Sequence, residues 1–109
     1  MTAVTHLTFT EFVSTHRFAV VHFWACWNGY DPQMKAFIET EVPQDLRDQI
    51  AFASLDTDPP EHHSLCRTHH VLNLPFLALY KNGALMTTVT GMQKQNILRL
   101  FADLVTASE

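Results

Sequence analysis

A nearly unbroken run of apolar and β-branched residues occupies positions 18–25, with the sequence Phe18-Ala19-Val20-Val21-His22-Phe23-Trp24-Ala25. Such a run is typical of a central strand that is covered on both faces of a sheet. Its one polar residue, His22, is therefore expected to be buried. Because both faces of this strand need a cover, the run also predicts helices on either side of the sheet.

The residues that follow this run predict a turn and then a helix. The turn is predicted at residues 27–30, and Asp31 next offers an N-capping carboxylate to the helix. Pro32 comes directly after it, and proline is favoured at the first helical position because its missing N–H costs nothing there. Pro43 is expected to interrupt this helix before Leu46. The apolar residues recur at 3.6-residue spacing and are Met34, Phe37, Ile38 and Val42.

The N-terminal residues predict one strand and one helix before the central strand. Residues 4–7 are predicted as a short strand. Thr8 and Glu11 match the reciprocal capping pair of a helix N-terminus, which predicts a helix of about two turns as far as His16.

The second half of the chain predicts three strands and two helices. Lys81-Asn82-Gly83 predicts a tight turn between two strands, because Asn-Gly readily supplies the positive φ angles that such turns need. The order β-α-β-α-β-α-β-β-α then predicts an α/β fold with a mixed sheet. The strands are at residues 50–55, 76–80 and 84–90, and the helices are at residues 61–70 and from Gln93 onward, with Ile97, Leu98, Phe101, Leu104 and Val105 on one face.

Length, composition and charge limit what the chain does. Its 109 residues, 47% hydrophobic and 17% charged, fit one globular domain that spans residues 1–109. The formal net charge of −4 disfavours nucleic acid and anionic membrane surfaces as partners. Two cysteines and no visible signal peptide or membrane-spanning segment predict a reducing, cytoplasmic location.

Three motifs carry a resemblance to a known family, and they are Val21-His22-Phe23-Trp24-Ala25-Cys26-Trp27, Leu74-Pro75-Phe76 and Tyr80-Lys81-Asn82-Gly83. With the order of elements, they make the chain resemble the thioredoxin family over nearly its whole length. The resemblance implies the thioredoxin fold, with a mixed five-stranded sheet, four flanking helices and a cis-proline, Pro75, before the fourth strand.

The chain departs from the family at its redox motif. Where the family has Cys-Gly-Pro-Cys, this sequence has Asn28-Gly29-Tyr30-Asp31. Thiol–disulfide exchange needs one thiolate to attack a disulfide and a second thiol to resolve the mixed disulfide. Asn28 and Asp31 supply neither, so dithiol oxidoreductase activity is not expected. His22 also stands where the family has a buried Asp, as in the redox-inactive thioredoxin-like domain of multidomain monothiol glutaredoxins, which the chain resembles most closely.

The resemblance implies a groove beside the turn that pairs with an extended segment of a partner. Apolar and aromatic side chains suit such strand addition. We therefore expect a protein-interaction or scaffold module, within a larger complex and without a cofactor. The alternative is that Pro75 only shapes the fold. The expected contact residues are Trp27, Asn28, Tyr30, Asp31, Leu74, Pro75, Gly91 and Met92.

Two further functions stay open as alternatives. Cys26 lies at the mouth of the turn, where a lone thiol could be glutathionylated or form a mixed disulfide with a partner. His62, Cys66 and His69 would share a helix face at i, i+4, i+7 spacing, which suits a transition metal if the helix extends back to His62. The simpler readings are an inert thiol at Cys26, a core thiol at Cys66 and histidines on a solvated loop.

Overall fold

The computed structural model describes residues 1–106, which form five strands and five α-helices. A short 3₁₀ turn at Pro60–His62 precedes the fourth helix. The strands are β1 (Thr2–Ala3), β2 (Phe18–Trp24), β3 (Ala51–Asp56), β4 (Phe76–Lys81) and β5 (Ala84–Thr90). The α-helices are α1 (Phe9–Thr15), α2 (Asp31–Thr40), α3 (Gln44–Gln49), α4 (His63–Thr68) and α5 (Lys94–Thr106).

The strands form one mixed sheet in the order β1-β3-β2-β4-β5. Strand β2 lies at its centre, parallel to β3 with His22 opposite Ser54. On its other side β2 is antiparallel to β4, with His22 opposite Leu77. Strand β1 adds to β3 in parallel and β5 adds to β4 in antiparallel orientation. The mixed five-stranded sheet predicted from the sequence is confirmed.

Side chains of β2 point alternately into two apolar layers. Val20 belongs to the layer formed with α2, α3 and α5, which includes Met34 and Phe101. Val21 belongs to the layer formed with α1, to which Leu65 of α4 adds. Because the sheet is covered on both faces, β2 is almost wholly buried and His22 is only 2% exposed, as its sequence predicts.

Proline divides the second helical region into two helices. Helix α2 ends at Thr40, and α3 begins after Pro43, whose carbonyl accepts hydrogen bonds from the N–H groups of Leu46 and Arg47. The predicted interruption is confirmed. The described residues therefore contain five α-helices where the sequence analysis counted four.

The predictions for the N-terminal residues were partly wrong. Strand β1 covers Thr2–Ala3 and not residues 4–7, because a turn starts after it. The Thr5 hydroxyl accepts a hydrogen bond from the Leu7 N–H, and the Thr8 hydroxyl accepts one from the Thr5 N–H. The bond from the Thr5 N–H to the Thr8 hydroxyl also explains why Thr8 does not cap α1 with its side chain. The predicted helix forms, but without the capping pair of Thr8 and Glu11.

The β4–β5 hairpin and the preceding loop follow the sequence prediction. Asn82 and Gly83 both have positive φ, 51° and 84°, as a tight turn of this kind requires. The peptide bond between Leu74 and Pro75 is cis and lies directly before β4.

A buried polar pair joins α4 to the sheet. His69, the residue directly after α4, places Nδ1 2.8 Å from the Leu65 carbonyl oxygen, and its Nε2 contacts the Tyr80 hydroxyl of β4. A carbonyl only accepts, so Nδ1 carries the proton and Nε2 accepts from Tyr80. Burial raises the pKa of Tyr80, which keeps its hydroxyl protonated as the donor.

We expect Tyr80→Phe to lower the free energy of unfolding by about 1–3 kcal/mol, because it leaves the buried His69 Nε2 without a donor. Urea denaturation measures this loss. Tyr30→Phe is the matched control, since Tyr30 is 59% exposed. Equal stabilities of the two variants would show that the pair does not anchor α4.

Candidate functional site

The turn between β2 and α2 is held by the side chain of Asn28. Its Oδ1 accepts a hydrogen bond from the Tyr30 N–H at 2.9 Å, which closes a local turn. Its Nδ2 donates to the Leu74 carbonyl oxygen at 3.3 Å, across 46 positions of sequence. Asn28 therefore ties the turn to the loop that carries the cis-proline Pro75.

Trp27 is anchored by an acidic residue that the sequence analysis did not single out. The indole Nε1 donates to Asp58 Oδ1 at 2.9 Å, while the Asp58 N–H donates to Asp56 Oδ1 at 3.0 Å. A signal for this contact exists in the sequence. Parallel strands end at the same edge of a sheet, so acidic residues directly after β3 lie near the end of β2.

Three large apolar side chains are exposed, two in the turn and one in the loop that carries Pro75. Trp27 is 68% exposed, Tyr30 59% and Leu72 87%. Leu72 was missed at the sequence level, because an isolated apolar residue in a loop carries no pattern that predicts its exposure. Their exposure contrasts with the burial of most large side chains in the two apolar layers.

The remaining residues predicted for the groove differ in how they are placed. Leu74 is half-buried, whereas Pro75 is fully buried and its carbonyl accepts from the Gly91 N–H at 2.9 Å. Met92 is half-buried and packs against the layer of α2, α3 and α5. The structure thus joins Asn28 to Leu74 and Gly91 to Pro75 by direct hydrogen bonds.

The predicted role of Asp31 as a helix cap was wrong. Tyr30 is the N-cap residue of α2, Asp31 is its first helical residue, and Pro32 is the second. The Asp31 side chain is 97% buried, and it turns away from the first helical turn. Oδ2 accepts from the Ala25 N–H at 2.8 Å, and Oδ1 lies 3.3 Å from His22 Nε2.

His22 and Asp31 form a buried imidazole–carboxylate pair behind the turn. A carboxylate oxygen accepts, so Nε2 of His22 carries the proton that it donates to Asp31. Burial lowers the pKa of His22, although the hydrogen bond and the charge of Asp31 act in the opposite direction. The imidazole is therefore neutral at neutral pH, with the lone pair on Nδ1.

This pair lines a cavity of about 360 Å³ between β2, β3 and the start of α2. Most of the cavity wall is apolar, and the lining includes Met1, Trp24, Ala25 and Pro32. The sequence did not predict this cavity, because its walls come from four separate segments of the chain.

The environment of Cys26 does not favour a reactive thiol. The side chain is exposed, and its Sγ lies 3.5 Å from Asp58 Oδ2, to which it donates a hydrogen bond. This bond, with the negative charge of Asp58, raises the pKa of Cys26. Because the thiolate is the nucleophile, a raised pKa lowers the reactive fraction near neutral pH.

The histidines proposed as metal ligands are engaged in other contacts. Helix α4 begins at His63, so His62 and His69 flank the helix instead of sharing one of its faces with Cys66. His62 Nδ1 contacts the Asp56 carbonyl oxygen at 2.6 Å, and both nitrogens of His69 are hydrogen-bonded. Within residues 1–106 there is no group of three His, Cys, Asp or Glu side chains that could hold a metal ion.

Over residues 1–106, every helix is too short or too polar to cross a bilayer.

Comparison with known proteins agrees with the architecture. The family model described as Thioredoxin matches residues 1–103. Thioredoxin of Mycolicibacterium smegmatis is 30% identical over 95 residues, which cover 86% of this chain and 84% of that protein. Thioredoxin 1 of Synechococcus elongatus is 33% identical over 90 residues, covering 82% and 81%.

A solved structure of thioredoxin from Plasmodium falciparum has the same fold, with a TM-score of 0.82 at 21% identity. It covers 94% of this chain and 98% of its own. The thioredoxin fold expected from the sequence is thereby confirmed, whereas the closer resemblance to the domain of monothiol glutaredoxins stays a prediction.

The buried pair predicts how stability depends on pH. A histidine in the unfolded chain titrates near pH 6.5, and a lowered pKa means that the folded protein binds this proton less readily. Acid therefore favours the unfolded state below about pH 6.5. The ionisable side chains that line the cavity with His22 are Asp31, Lys35 and Cys26.

We expect the free energy of unfolding to fall from pH 7 to pH 5 more steeply in the wild type than in His22→Leu, by up to ~1.4 kcal/mol per pH unit. Urea denaturation across this range measures the slopes. His63→Gln, at an exposed histidine, is expected to keep the wild-type slope. Parallel profiles of the wild type and His22→Leu would contradict the assignment.

Proposed function

The chain belongs to the thioredoxin family, and we propose that it acts there as a protein-binding module without thiol–disulfide exchange activity. The relatives are named thioredoxin, and that name suggests redox chemistry. The proposal departs from it at one place, the turn between β2 and α2. By its sequence motif, this turn matches the position of the two redox cysteines of the family.

The observation that carries the proposal is the hydrogen bonding of Asn28 and Asp31. Asn28 joins the turn to the Leu74 carbonyl, and Asp31 holds the Ala25 N–H and faces His22. Both side chains thus support the shape of the turn, and neither carries a sulfur atom for disulfide exchange.

The two cysteines of the chain do not replace the missing pair. Both are free thiols, Cys26 exposed and Cys66 half-buried in α4. The Asp58 carboxylate raises the pKa of Cys26, and burial raises the pKa of Cys66. Each thiol is therefore less ionised than a free cysteine, which favours an inert role for both.

The surface beside the turn supports a binding role. Trp27 and Tyr30 of the turn and Leu72 of the cis-proline loop are exposed, and aromatic anchors such as the first two carry much of the energy of protein interfaces. Next to them, the Leu74 N–H has no hydrogen-bond partner among residues 1–106. An extended partner segment would pair with this N–H as a strand and place its side chains against the aromatic residues.

We expect the protein not to accelerate the reduction of insulin by dithiothreitol. The assay follows the turbidity of the released insulin chains, and Asn28→Cys/Asp31→Cys serves as the matched comparison because it restores two sulfurs at the turn. Turnover by the wild type at the rate of a dithiol thioredoxin would overturn the redox-inactive part of the proposal.

We expect Tyr30→Ala to weaken binding of an extended peptide at least ~30-fold, since loss of an exposed aromatic anchor costs about 2 kcal/mol. Peptides are selected on the wild type from a displayed library, and calorimetry gives the affinities. Cys26→Ser is expected to bind like the wild type, and both variants are expected to fold. Unchanged affinity in Tyr30→Ala would remove the groove beside the turn as the binding site.

A further inference from the structure

The cavity behind the turn has features that the protein-binding role does not use. Its volume is about 360 Å³, and its walls include the apolar residues Met1, Trp24 and Pro32. Cavities of about 150 Å³ already admit benzene, and small-molecule sites begin at about 300 Å³. This space therefore accepts a molecule with one aromatic ring.

A buried hydrogen-bond acceptor opens into the cavity. His22 is 2% exposed, and its Nε2 proton is given to Asp31, which leaves a lone pair on Nδ1. Nδ1 has no protein partner in the part of the chain that the structure describes. Among residues 1–106, every side-chain nitrogen or oxygen that is inaccessible to solvent has a hydrogen-bond partner. Because Nδ1 has none, it is accessible, and His22 lines the cavity.

Asp31 fixes this acceptor in place. The carboxylate is itself held by the Ala25 N–H at 2.8 Å, and it accepts the His22 proton through its other oxygen. The imidazole is thereby locked in one tautomer and one orientation. A polar atom held in this way beside a mostly apolar space orients a ligand through a hydrogen bond.

The charges around the cavity disfavour an ionic ligand. The Asp31 carboxylate repels an anion, and its two oxygens are already hydrogen-bonded. Lys35 lines the cavity, but its Nζ lies 3.8 Å from Glu39 Oε2 and its side chain is 63% exposed. Burying a cation between apolar walls is costly without a dedicated partner.

We propose that the cavity binds a small, uncharged aromatic molecule of the phenol class, whose hydroxyl donates a hydrogen bond to His22 Nδ1. The apolar walls hold the ring, and the lone pair of Nδ1 receives the hydroxyl proton. A ring without a donor fits the same space but leaves Nδ1 unpaired by the ligand, which lowers its affinity. Trp27 and Tyr30 do not line the cavity, so this site is separate from the proposed protein-binding surface.

The test is a titration of the ¹⁵N-labelled protein with phenol, followed by NMR, with toluene as the matched ligand that lacks the hydroxyl. We expect saturable shifts of the Ala25 and Ser54 amides, and at least ~10-fold tighter binding of phenol than of toluene. His22→Leu is expected to abolish this preference. Tyr30→Ala is expected to retain it, which separates failure of this site from failure of the peptide groove.

A second measurement keeps the proposal testable if His22→Leu does not fold. In the wild type, the ¹⁵N resonance of His22 Nδ1 is expected to move toward that of a hydrogen-bonded nitrogen with phenol and not with toluene. Equal affinity for both ligands, shifts confined to the outer surface, or an unchanged Nδ1 resonance at saturation would each overturn the proposal.

Discussion

The fold and the turn meet at one buried carboxylate. Asp31, the first residue of α2, reaches back to the Ala25 N–H at the end of β2 and faces His22 within that strand. One side chain thus sets the start of the longest helix of the first half against the central strand. The turn of residues 26–30 spans this fixed distance, and the positions of Trp27 and Tyr30 follow from it.

In this contact the acidic group lies on a different element from the one that the family resemblance implies. An acid is expected on the strand and a sulfur on the helix, whereas here the strand supplies an imidazole and the helix supplies the acid. His22 and Asp31 satisfy one another, and a neutral imidazole can remain buried at neutral pH because burial lowers its pKa. A pair built in this way holds a turn together without requiring electron transfer.

Sequence reasoning succeeded where a local rule was sufficient. The apolar run of β2, the interruption at Pro43 and the Asn82-Gly83 turn each depend on backbone preferences or on a short hydrophobic pattern. It failed where a side chain had two possible partners. Thr8 and Asp31 are both residue types that cap helices, but their side-chain oxygens accept hydrogen bonds from N–H groups of the preceding segment. Only tertiary packing decides whether such an oxygen bonds to the helix or to the segment before it.

The site was less predictable than the fold for the same reason. The resemblance pointed to the turn and the cis-proline loop, yet the bond from Asn28 to Leu74 spans 46 positions. The cavity, the exposure of Leu72 and the anchoring of Trp27 by Asp58 depend on how distant segments meet. Hydrophobic periodicity carries no information about contacts between segments that are far apart in the sequence.

The hydrogen bond from Cys26 to Asp58 also affects the chemical durability of the protein. Oxidation by peroxides and disulfide-linked dimerisation both proceed through the thiolate, and the neighbouring carboxylate keeps this exposed sulfur protonated. The only other cysteine is half-buried, and burial raises its pKa as well. The family is known for cysteines that alternate between thiol and disulfide, whereas in this chain a neighbouring negative charge protects the surface thiol from oxidation.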